Sequence, residues 1–92
     1  MIALDVFEHM HDAEIRSVIR KCRPRTLIAR MPVTVNGKDF VLRVSRADRT
    51  HINCKRASEW HVMFQRLGFV TRPINLTSVY DSVGVACILG IR

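Results

Sequence analysis

Ninety-two residues make one domain with no room for a second core, and a hydrophobic share of 48% excludes wholesale disorder. The charge is lopsided: 15 Lys and Arg, 12 of them Arg, stand against 8 Asp and Glu, for a formal charge of +7. Such a chain repels itself and points to an anionic partner, because the planar donor fork of guanidinium suits phosphate and carboxylate.

The longest late apolar run, residues 83–91, falls far short of the roughly 20 residues of a membrane-spanning helix, so no membrane role is expected. Cys22, Cys54 and Cys87 are odd in number and widely spaced, which is not a disulfide framework, and no secretory leader is read at the amino end. The expectation is a cytoplasmic protein with reduced thiols. In that compartment the sequon Asn75-Leu76-Thr77 carries no sugar.

In chain order, residues 4–10 suggest a helical turn or two. Asp12 reads as an N-cap, followed by Ile15, Val18, Ile19 and Cys22 at the spacing of one helical stripe. That helix must stop before Pro24, since proline disfavours helix in the residue ahead of it. Residues 26–35 and 38–44 flank Asn36-Gly37, the dipeptide best suited to a tight hairpin turn. Val33 and Val35 on one arm, with Phe40, Leu42 and Val44 on the other, alternate as a buried face should. Pro32 lacks an amide hydrogen, so the first arm is expected at a sheet edge or bulged there.

Residues 50–67 predict the longest helix, closed by Gly68. At about 100° per residue, Ile52, Ala57, Trp60, Met63, Phe64 and Leu67 share an arc that should cover the hairpin. Residues 69–71 and 83–91 predict strands, the latter central and buried on both faces, with a loop around 73–81 between them. The fold class expected is therefore α+β: a small single domain with an N-terminal helix, a β-hairpin, a long helix and C-terminal strands completing a three- or four-stranded, mostly antiparallel sheet.

Charge falls in blocks. Arg16, Arg20, Lys21, Arg23, Arg25 and Arg30 occur with no acid among them, and Arg43, Arg46, Arg49, Lys55 and Arg56 are opposed only by Asp48. Arg16 and Arg20 at i, i+4 repel one another by about 0.2–0.5 kcal/mol, a cost that an incoming anion would relieve. Helix-dipole complementarity explains part of the pattern, with acids leading the first helix and bases ending it. Arg46 and Arg49, if they lie just before the long helix, would seat a phosphate beside its free amide hydrogens.

Phe7, Phe40, Trp60, Phe64 and Phe69 fall on expected core faces, leaving Tyr80 alone free to stack on a base. His51, Cys54 and His61 would share one helix flank, with His9, His11 and Cys22 as further donors, but no close ligand pair of the kind zinc sites use is present. No metal and no cofactor are expected. Nor does any second catalytic group stand at a telling distance from His51 or a cysteine, so no enzyme is expected.

The function expected is a small basic, non-enzymatic nucleic-acid-binding domain. Its phosphate contacts would be Arg20, Arg23, Arg25, Arg30, Arg43, Arg46, Arg49 and Arg56, and duplex is favoured over single strand. The alternative is a small adaptor or inhibitor, of the kind phages and plasmids encode, whose basic face docks on an acidic host protein or whose 83–91 tail adds a strand to a partner. A small ribonuclease-like toxin comes third. A homodimer through an exposed strand edge is possible.

Overall fold

The computed structural model describes residues 1–74 and 84–92. Its order is β1 (Ile2–Leu4), a 3-10 turn at Phe7–His9, α1 (Asp12–Cys22), β2 (Thr26–Pro32), a short α2 (Arg43–Ala47), α3 (Ala57–Arg66), β3 (Val70–Pro73) and β4 (Val85–Ile91). The four strands form one mixed sheet in the order β1-β2-β4-β3. β1 runs parallel to β2, and β4 runs antiparallel to both its neighbours. This is the α+β domain expected, with the last strand in sequence placed centrally.

The local reasons are legible. Ile15 and Ile19 bury one face of α1, while Val18 and Cys22 stay at its exposed margin, so the apolar stripe is narrower than its spacing suggests. His11, one residue ahead of the expected cap, precedes the helix, and its amide hydrogen is taken by Glu14 Oε1 at 3.0 Å. The helix ends on Arg23, left-handed at φ 47°, whose N–H reaches Ile19 O, and Pro24 follows.

Ala3, Leu27, Ala29, Met31, Ala86 and Ile88 alternate onto one face of the sheet. Phe7, Ile15, Ile19, Trp60, Met63 and Phe64 close over that face. Trp60 stacks on Phe64 at 5.9 Å, and Phe7 meets the same ring at 5.9 Å. Each such side chain contributes about 1.5–3 kcal/mol when fully buried. Gly90 lets Phe69 lie against β4, since a Cβ there would stand 3.1 Å from its ring. On the opposite face Ile2, Leu4, Val70 and Ile91 are exposed, while Cys87 is buried.

Three expectations are corrected. The Asn36-Gly37 turn forms, with Asn36 Oδ1 accepting the amides of Lys38 and Asp39, but the return arm makes only the bridge Thr34–Phe40 before entering α2. β1 and β4 already occupy both sides of β2, so no vacant ladder receives that arm, and β2 is not an edge. Residues 50–56 are not helical. Ile52 and Asn53 donate their amides to Glu8 O, Lys55 O accepts from Thr34, and the Asn53 side chain bonds Met10 O and Asp12. These tertiary bonds outcompete the helix, and Ile52 ends half exposed. β4, the expected central strand, pairs with β2 along residues 85–91 and with β3 over residues 88–91. The 73–81 loop and Tyr80 lie largely or wholly outside the described residues.

Candidate nucleic-acid interface

α1 and α3 bound a groove of about 510 Å³ lined by Arg16, Arg20, Lys55 and Arg66, with Val62 and Met63 among the apolar lining residues. A shallower depression adjoins it through Arg16 and Arg20 and brings in Lys21 and Arg23. Helical spacing builds the surface: Arg16, Arg20 and Arg23 follow i, i+4, i+7 from α1 onto its C-cap, while Glu59, Val62, Met63 and Arg66 repeat the same periodicity on α3.

The two acids bordering the groove are engaged. Asp12 accepts from Lys55 Nζ at 3.0 Å and from Asn53 Nδ2 at 2.8 Å. Burial opposes its ionised form, but these bonds outweigh that effect and hold the carboxyl below its usual range. Glu59 Oε1 accepts the Arg56 amide at 3.0 Å and lies 3.7 Å from its guanidinium. Among the described residues, Arg16, Arg20, Lys21, Arg23 and Arg66 have no carboxylate within 4.0 Å.

The eight expected contacts do not form one surface. Arg20 and Arg23 belong to the groove and its extension. Arg25 is exposed at the start of β2, where its carbonyl accepts the Arg92 amide. Arg30 leaves the sheet on the side away from the helices, where Asp5 holds it through Nε at 3.3 Å and Nη2 at 2.5 Å. Arg43, Arg46 and Arg49 are exposed on and after α2, and Arg46 borders a separate hollow with Asn36, Asp39 and Phe40. Arg56 is exposed and donates from Nε to Val35 O at 3.3 Å.

The phosphate seat expected beside Arg46 and Arg49 is not built. α3 begins only at Ala57, and Glu59 occupies its first turn. Arg66, one turn beyond Val62 on α3, joins the groove although it is not among the eight expected contacts, and so does Arg16.

The six candidate metal donors do not gather as a helix flank. Cys54 Sγ contacts Lys38 O at 3.9 Å, and His61 Nδ1 meets Thr71 Oγ1 at 2.8 Å. Desolvation pushes the His61 imidazole down and the Cys54 thiol up, so Cys54 carries little nucleophilic thiolate at neutral pH.

Comparison with protein-family models, with curated proteins and with solved structures gave no match. No helix among the described residues is long and apolar enough to cross a membrane.

Proposed function

We propose that this chain is a non-enzymatic, cytoplasmic nucleic-acid-binding domain that grips the phosphate backbone of a duplex with the α1–α3 groove. The observation that carries the reading is the run Arg16, Arg20, Lys21, Arg23 and Arg66, five cations with no carboxylate within 4.0 Å among the described residues. Phosphate neutralises such a cluster and releases counterions, which supplies affinity without base reading. Duplex is favoured because Phe7, Phe40, Trp60, Phe64 and Phe69 are all buried, so none of them offers a ring for base stacking.

Fluorescence anisotropy with duplex DNA, duplex RNA and single strands at two salt concentrations tests the proposal. Duplex should bind tighter than about 10 μM at low salt, with a steep salt slope. Arg20→Ala and Arg66→Ala should each weaken binding for all sequences and flatten that slope by about 1, whereas Arg30→Ala should leave it unchanged. Absence of duplex affinity, together with recovery of one stoichiometric acidic protein from nuclease-treated extract, would transfer the groove to a protein partner.

A further inference from the structure

Glu8 is the most fully buried carboxylate among the described residues, 1% exposed, and its Oε1 meets no hydrogen-bond donor among them. A buried charge is normally paired and hydrogen-bonded, so a carboxylate buried this way calls for a cation beside it. Its other oxygen, Oε2, faces two imidazoles: His9 Nε2 at 3.8 Å and His51 Nε2 at 3.9 Å. These contacts are too long for hydrogen bonds.

Both rings are oriented from behind. His9 Nδ1 lies 3.0 Å from Thr50 O, and His51 Nδ1 lies 3.1 Å from Ser45 O. A carbonyl only accepts, so each Nδ1 carries a proton, which leaves Nε2 as the nitrogen of each ring that can ligate. That backing is the arrangement found behind metal-bound histidines.

From this geometry we infer that Glu8, His9 and His51 bind a divalent first-row metal ion of the zinc class. One donor atom from each of the three lies within 4.8 Å of the others. Tetrahedral ligands about 2.0–2.1 Å from zinc stand roughly 3.4 Å apart, so the two edges to Glu8 must shorten by about half an ångström, and the edge between the imidazoles, which lies within 4.8 Å, by up to about 1.4 Å. His9, on a turn with its side chain 36% exposed, can supply that movement. Two imidazoles and a carboxylate form a borderline donor set that suits zinc, cobalt or nickel rather than calcium.

Asp48 lies beside His51. Its Oδ1 is held by Thr50 N at 2.9 Å and Thr50 Oγ1 at 2.6 Å, while Oδ2 lies 3.4 Å from His51 Nε2. The hollow lined by Glu8, His9 and His51 shares no lining residue with the α1–α3 groove.

The test uses the tag-free chain, stripped with chelator, titrated with Zn²⁺ by calorimetry and with Co²⁺ by visible absorption. One equivalent should bind, Co²⁺ should show the d–d bands of a low-coordinate site, and Zn²⁺ should raise the thermal midpoint. His9→Ala and His51→Ala should each weaken binding at least about ten-fold, with His61→Ala unchanged. Because Glu8 is buried, Glu8→Gln is read beside His9→Ala, a surface truncation whose fold is checked by circular dichroism. Failure of the wild-type chain to bind either ion stoichiometrically, or undiminished binding in the folded His9→Ala and His51→Ala variants, overturns the site.

Discussion

Gly37 shows how tightly single residues are constrained around the 34–41 turn. Its φ of 82° is left-handed, and a Cβ there would stand 2.6 Å from Arg56 Nη2. Gly37→Ala should therefore cost about 1–2 kcal/mol from backbone strain, plus whatever displacing the guanidinium costs. Chemical denaturation of Gly37→Ala alone and with Arg56→Ala separates the two: the contact part should vanish in the double variant while the strain persists. Asp12 sets a pH dependence. Its carboxyl is lowered on folding, so the stabilisation it provides is complete above its unfolded pKa, near 4. That stabilisation is lost as pH falls through the still lower folded value. Thermal melts between pH 6 and pH 2 should show Asp12→Asn losing less stability on acidification than the parent chain.

The same capping device starts both longer helices, with Glu14 accepting the His11 amide on α1 and Glu59 the Arg56 amide on α3. Glu59→Ala should cost about 0.5–1 kcal/mol, readable as a lower denaturation midpoint with an unchanged denaturant slope. Elements with a local cause could be read from the sequence. α1 was marked by its isoleucines and Pro24, α3 by Trp60, Met63 and Phe64, and β4 by its run of apolar residues. Elements decided by distant partners could not. β1 is three residues long and exists because β2 lies beside it, and residues 50–56 were captured by Glu8 O. Asn36-Gly37 records a turn but not whether the neighbouring ladder is vacant. For the site, Arg20 and Arg23 were visible as a helix-face cluster. The approach of Arg66 and the meeting of Glu8 with His51 depend on tertiary placement that no short spacing encodes.

At the scale of the whole molecule, a charge of +7 opposes compaction. Moderate salt should therefore raise the thermal midpoint of the free chain by screening, and a short duplex at low salt should raise it further by mass action on the folded state. Differential scanning fluorimetry across a salt series, with and without duplex, measures both, and the two effects should converge as salt weakens binding. The central place of β4 carries a consequence for biosynthesis. Thr26 pairs with Ile91 and Pro32 with Val85, so β2 gains β4 as a neighbour only once residues 85–91 have left the ribosome. Until then the side of β2 that faces β4 has no ladder partner. The nascent polypeptide would stay open to proteases and holdase chaperones until that long-range pairing closes.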